Sequence, residues 1–416
     1  MATFATFPLP AGDGVCGHAT EAAEREKSYC IFSAELNRHQ SLLDRFKPSL
    51  FDAVSRSADA YRPLKRHITR VFSGQLVSNA WLKMYELAYR FDLASFATAG
   101  VLRLFCNAEL PGAFVSALNH YCCNASATRS VGIKWCASSL YPQDLGEGHA
   151  ATKALKDQYG LLRAYRRAWI MDGPGDPWGD GAKQMDGDLV SPENVATMAV
   201  RARSLLGEID LYTSDAGLDV GEDFNRREEL NLRIHFGQAL AGLLSLRDGG
   251  AAVLKMYTFF LPFTRSVIAV LASRFESFDV CKPQTSRPAN SEIYLVGRGF
   301  HGIDQKTVRG LLEKLGPDPV KGTFLYSVPL AGFGPADTTE EFNEALWVAA
   351  RALFSRQQPA HLKRLARLCD VWEKKKQGWK ATQKELSRSS KERTGAWLAA
   401  MKVAEMLPGR ALKGVR

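Results

Sequence analysis

The chain has 416 residues, longer than one average domain, and its 46% hydrophobic and 24% charged residues are those of a soluble globular protein with a sizeable core. Its 54 Lys and Arg outweigh 44 Asp and Glu for a formal charge of +10, which suggests a polyanionic partner. The eight cysteines form no CxxC pair and no His/Cys metal spacing, so no metal is expected and the thiols fit a reduced, intracellular setting.

Residues 1–30 are rich in small and polar residues and are expected to be poorly ordered; MATFATFPLPAGDG lacks the features of a secretory signal. From about Leu36 to Arg90, apolar residues recur every three or four positions, as in LLDRFKPSLFDAV and NAWLKMYELAYRF, the spacing of helix. Val101–Asn107 is short, apolar and β-prone, Pro111-Gly112 follows, and AFVSALNHY has helical spacing. Strand, tight turn and helix open an α/β unit. Residues 141–192 are broken up by Gly, Pro and Asp and are expected to be mostly loop, without the carboxylate spacing of a calcium site.

Three further units follow: the strand IDLYTSDAG, the helix Glu228–Leu246 with the strand AAVLKMYTF, and the helix Thr264–Phe275 with FDVCKP. FDVCKP and EIYLVGRG, separated by a short polar turn, form an antiparallel hairpin at the sheet's edge. The pattern predicts an α/β fold around a parallel, doubly wound sheet, with helical extensions at both ends. The core is expected over residues 31–310 and a C-terminal extension over 311–416. The apolar stretches Val253–Phe263 and Ala94–Asn107 are short and carry Lys255 and Arg103, so neither a transmembrane helix nor a membrane partner is expected. His361–Arg416 holds 15 basic and 5 acidic residues, the chain's whole positive excess. That tail is either a solvated helical face or a nucleic-acid surface.

In an open α/β sheet, ligands sit at the carboxyl ends of the strands. Asp215 ends one strand, Lys255 places a charge inside another, Glu292 starts a third, and Lys83 lies in the helix before the first. Each alone could be a snorkelling side chain or an internal ion pair. Lys255, between Val253-Leu254 and Met256-Tyr257, is expected to be desolvated with a lowered pKa, pushed further by Lys83 and opposed by Asp215 and Glu292. In the turn from Asn107 to Phe114, Gly112 and Ala113 leave room for a ligand to approach the backbone, and the next helix offers free N–H groups.

The order Lys83, Asp215, Lys255, Glu292, in the contexts WLKMYEL, LYTSDAG, GGAAVLKMYTFF and KPQTSRPANSEIYLVG, resembles the RrmJ/FtsJ superfamily of ribose 2′-O-methyltransferases. ELPGAFVSALNHYC, KWCASSLYP and GDLVSPENV are most similar to its Adrift-type cap 2′-O-methyltransferases. The resemblance covers about residues 72–302. It implies a Rossmann-like methyltransferase core, S-adenosylmethionine as cofactor, and a capped RNA as partner. It also implies Lys255 as general base, oriented by Lys83 and Glu292, with Asp215 beside the methyl donor. The implied cofactor contacts are Glu109, Pro111, Gly112, Ala113, Phe114, Trp135, Asp188 and Asp215; Trp135 could equally be a core residue and Asp188 a helix cap. The implied product carries the methyl on a cap-proximal nucleotide, taken as the second. Cellular relatives would be nuclear and viral ones cytoplasmic. The rival readings are methylation of ribosomal or other structured RNA, and a non-catalytic RNA-binding subunit. Tyr61, Trp178 and Tyr326 are candidates for stacking on the cap base. The oligomeric state stays open.

Overall fold

The computed structural model describes residues 4–10, 19–124, 131–140, 157–172, 187–218, 226–316, 329–330, 332–333, 337–374, 377–407 and 409–415. One mixed sheet runs in the order β1 (Ala5–Leu9), β6 (Phe275–Lys282), β7 (Ile293–Phe300), β5 (Leu246–Met256), β4 (Ile209–Ser214), β2 (Val101–Asn107), β3 (Gly132–Ser138). β3, β2, β4 and β5 are parallel. β7 is antiparallel to β5, β6 to β7, and β1 to β6. This is the expected Rossmann-like arrangement with an antiparallel edge hairpin, in which Val280 faces Leu295 and Cys281 faces Tyr294. Parallel strands are covered on both faces, and all six residues of β4 are buried.

The two-residue period of a strand sorts side chains between two cores. Ala252, Leu254 and Met256 pack with α7 (Pro192–Leu206), α8 (Arg227–Ser245) and α9 (Pro262–Ala272). Ala251 and Val253 pack with α4 (Asn79–Arg90) and α5 (Ala113–Asn124) on the other face. Lys255 has the parity of Ala251 and Val253, so it leaves the sheet toward α4. Ser78 caps α4, its side chain accepting from Trp81 N–H, and this fixes where Lys83 emerges.

Two strands lie where the apolar pattern marks none: β1 and β3. Of the stretch 1–30, expected to be poorly ordered, residues 5–9 form β1, and residues 1–3 and 11–18 lie outside the described residues. The short ATFPL of β1 finds backbone partners along the exposed edge of β6, and α1 (Ala19–Gln40) then buries Tyr29, Phe32 and Leu36 against the first core. Of the 141–192 stretch, the described parts include the short helix α6 (Leu161–Ala164) and a bridge from Ala137 to Trp169; residues 141–156 and 173–186 lie outside the described residues.

The described part of the region beyond residue 310 contributes to both cores, and its Leu365, Ala366 and Cys369 join Phe46 and Val54 in a third, smaller cluster. α10 (Gln305–Leu315), α11 (Glu340–Ala350) and α12 (Gln358–Glu373) supply Leu311, Phe342, Leu346 and Leu362 to the first. α13 (Gln377–Met401) supplies Trp397 and Met401 to the second, and Val403 and Leu412 follow. The last residues run along α5, where Asn119 donates to Arg410 O at 2.9 Å and His120 Nε2 lies 2.8 Å from Ala404 O.

Candidate active site

Strand order reverses at β2, with β3 on one side and β4 on the other, so a crevice opens beyond the carboxyl ends of β2 and β4. The turns after these strands meet there, Asp215 N–H donating to Asn107 O at 3.3 Å. Glu109 N–H donates to Ser138 O (3.1 Å) and Leu110 N–H to Ser139 Oγ (2.9 Å), which binds the turn to β3. Gly187 rests against the Ser139 carbonyl, which sets Asp188 at the same rim. Glu109, Pro111, Asp188 and Asp215 are thereby gathered at the end of the sheet. Phe114, at the start of α5 after Ala113, is buried with its ring 6.3 Å from that of Tyr294.

Two expected contacts have a different setting. Gly112 has φ +109°, and a Cβ there would strike the side chains of Leu161 and Leu76, so the open space is taken by protein. Trp135 lies three residues before the end of β3, its ring 5.4 Å from Tyr165 and 6.2 Å from Trp169, an aromatic cluster of the edge strand. Of the cap-base candidates, Tyr61 is buried with the Arg393 guanidinium 5.3 Å from its ring; Trp178 and Tyr326 lie outside the described residues.

Lys83, Asp215, Lys255 and Glu292 converge as two ion pairs. Lys83 Nζ lies 2.7 and 2.9 Å from the Glu292 oxygens. Lys255 Nζ lies 2.6 Å from Asp215 O and 3.2 Å from its Oδ1. β7 runs against β5 with Met256 opposite Ile293, which brings Glu292, just before β7, to the end of β5 beside Lys255.

The electrostatics correct one expectation. Burial pulls the Lys255 ammonium down, but Asp215, Tyr257 and Glu292 together outweigh it, and its pKa ends above the usual lysine range. Lys83 does not reverse this, because its own ammonium is matched by Glu292. Burial raises the Glu292 carboxyl, yet Lys83 and Lys255 overcome it and hold it down to about 2. Glu109 goes the other way. Burial, helped by the Asp215 charge, pushes its carboxyl up to about 8, against the N–H groups of Val115 and Phe114.

Four further residues support this centre. Tyr294 is fully buried, donates its hydroxyl to Asp215 Oδ1 at 3.2 Å, and lies with its ring 5.6 Å from Lys83 Nζ. Ser286 Oγ donates to Glu292 Oε1 (3.1 Å). Lys282 Nζ donates to the carbonyls of Asn290 (2.6 Å) and Glu292 (2.7 Å); burial, with Lys83 adding to it, lowers its pKa to about 8. Glu86, one helical turn after Lys83, accepts from Gln284 N–H, Thr285 N–H and the Thr285 hydroxyl. The chain thus pins the β6–β7 connection from α4 and from β6. A sequence signal existed for Tyr294, which follows Glu292 by two residues and so shares its parity; Glu86 shows only as a charge at helical spacing from Lys83.

A model of the FtsJ-like methyltransferase family matches residues 76–300, more than half of the chain. The chain belongs to that family. The matched segment holds all four converging residues and excludes α1–α3 (α2, Pro48–Ala58; α3, Arg62–Val71) and everything after β7. A probable methyltransferase of African swine fever virus is 40% identical over 284 residues, 67% of this chain and 62% of that protein. The zebrafish cap-specific mRNA (nucleoside-2′-O-)-methyltransferase 2 is 30% identical over 61% of this chain and 32% of its own length. The chain therefore spans about 62% or less of these curated relatives. A putative ribosomal RNA methyltransferase from Plasmodium falciparum aligns in structure at 15% identity and a TM-score of 0.34, covering 54% of this chain and 99% of that one.

Proposed function

We propose that this FtsJ-like methyltransferase transfers a methyl group from S-adenosylmethionine to a ribose 2′-hydroxyl of RNA, at a cap-proximal nucleotide and by preference the second. The observation that carries the reading is the Lys255–Asp215 contact at the strand ends with the Lys83–Glu292 pair beside it. The animal relatives named for cap-specific 2′-O-methylation support the substrate class.

The residues present fit a cationic cofactor. Two carboxyls, Asp215 and the buried Glu109, stand at the crevice with Asp188 at its rim, and Glu109 is short of positive charge. Bound there, the cofactor supplies a methyl group already activated for attack. Asp215, Glu109 and the turn through Ala113 and Phe114 would hold it. Lys255 would take the proton of the ribose hydroxyl as that oxygen accepts the methyl group, so no covalent enzyme intermediate is needed. In the free protein, Asp215 keeps the Lys255 ammonium protonated. An Asp215 shared with a cation supports that ammonium less, so filling the crevice and freeing the base are coupled.

The deciding experiment is transfer of labelled methyl to capped and uncapped transcripts, with mapping of the modified nucleotide. Label at a cap-proximal ribose supports the reading. Equal labelling of uncapped, structured RNA moves the substrate to that class, and RNA binding without transfer makes the chain a non-catalytic subunit.

A further inference from the structure

α3 has the sequence RPLKRHITRV, with no acidic residue. Leu64 and Ile68 are buried and fix its inner face, while Arg62, Arg66 and Arg70 recur every four residues on the exposed side. None of the three has an ion-pair partner among the described residues. Like charges at that spacing destabilise a helix by about 0.2–0.5 kcal/mol per pair, so the stripe is carried at a cost to the fold. It also lies outside the segment that matches the methyltransferase family.

The stripe does not stand alone. Arg287, exposed in the β6–β7 connection, directly follows Ser286, whose hydroxyl is bonded to Glu292. Lys65 links the two: burial lowers its pKa, and Arg287 and Arg62 lower it further, against Asp59. Asp59, which also accepts from Tyr61 N–H, is the carboxylate that faces Lys65. A predominantly cationic track therefore starts beside the Lys83–Glu292 pair and runs through Arg287 and Lys65, past Asp59, onto the three arginines of α3.

We propose that this track binds the phosphate backbone of the RNA chain whose ribose reaches Lys255, beyond the nucleotide being methylated. The proposal rests on the RNA-methyltransferase reading above. Three arginines spaced along about 12 Å of helix suit a flexible polyanion with repeating charges better than a single anionic group.

The test uses the full chain and the variant Arg62→Glu/Arg66→Glu/Arg70→Glu, whose exposed positions leave the buried face of α3 intact. Affinity for a capped RNA of about 20 nucleotides is measured over a range of salt, and the slope of log affinity against log salt should shrink by about 2 in the variant, at ~0.7 for each phosphate left without its arginine. In parallel, kcat/KM is compared for the long RNA and a capped tetranucleotide; the wild-type advantage of the long RNA should fall at least about tenfold, as expected when several phosphates go unneutralised. An unchanged slope in a folded variant overturns the track. If the variant loses the slope but the wild type methylates neither RNA, the track stands and the enzymatic reading fails.

Discussion

Tyr294 and Lys255 meet on one oxygen: the Tyr294 hydroxyl donates to Asp215 Oδ1 at 3.2 Å, and Lys255 Nζ lies 3.2 Å from the same atom. The two are register partners on β7 and β5, so the backbone ladder fixes the arrangement. Tyr294→Phe keeps the volume and removes one donor from the carboxylate. Asp215 then holds the Lys255 ammonium more firmly. The rate at neutral pH should fall by up to about tenfold, and its rise with pH should shift to higher pH, at ~1.4 kcal/mol per unit of pKa. A Tyr294→Phe enzyme with an unmoved pH profile would show that the shared oxygen does not tune the base.

Lys255 itself gives the sharper test. Its ammonium form is favoured in the free protein, so below its pKa the fraction of neutral base grows tenfold per pH unit. Activity should accordingly climb through the alkaline range. Lys255→Ala should lose about 10²–10⁴-fold in kcat, the range of a lost general base, with cofactor affinity largely kept. Lys255→Arg should fare little better, because guanidinium stays protonated. Near-normal turnover of Lys255→Arg would mean that the residue orients the ribose as a cation and that the proton leaves by another route.

Glu109 links stability to pH. Its carboxyl titrates near pH 8 in the folded chain and near 4.5 when unfolded. Between these values the folded state holds a proton that the unfolded state has released, so stability falls as pH rises, by up to ~1.4 kcal/mol per unit. Above pH 8 the loss is complete. Glu109→Gln removes the ionisation and keeps an oxygen for Val115 N–H, so it should raise the melting temperature more at pH 9 than at pH 5. At pH 9, where Glu109 is ionised, cofactor affinity should also drop in this variant, because the crevice then loses an anion. A stability gain equal at both pH values would remove Glu109 from the pH dependence.

Five of the seven strands in the described sheet were legible because they are continuous apolar runs, and the four converging residues were legible because three are charges at strand ends. Trp135 and Gly112 show the limit: an aromatic in a strand and a glycine in a turn suit a ligand or a neighbouring side chain equally, and here Trp135 packs beside Tyr165 while Leu161 fills the Cβ direction of Gly112. The sign of the Lys255 shift was not legible either. It depends on the distances to Asp215 and Glu292, which the order of residues along the chain does not set. β1 was hidden because a five-residue edge strand draws its stability from β6 rather than from its own composition.

The basic tail is a wall of the core before it is an arm for a ligand. Trp397 is 1% exposed, its ring 6.2 Å from Tyr85 on α4, in the same cluster as Trp81 and Leu118. Lys384, Arg388 and Lys391 on α13 face solvent. These two sets should separate cleanly under mutation. Trp397→Ala should cost about 3–5 kcal/mol by opening a cavity against α4, and removal of 377–416 should abolish cooperative unfolding. Reversing Lys384, Arg388 and Lys391 should change stability by no more than ~0.5 kcal/mol each, as for surface substitutions away from buried partners. Urea denaturation of the variants measures both effects. If Trp397→Ala cost less than about 1 kcal/mol, well short of a core truncation, the tail would be a dispensable covering, and its charge could be studied by simple deletion.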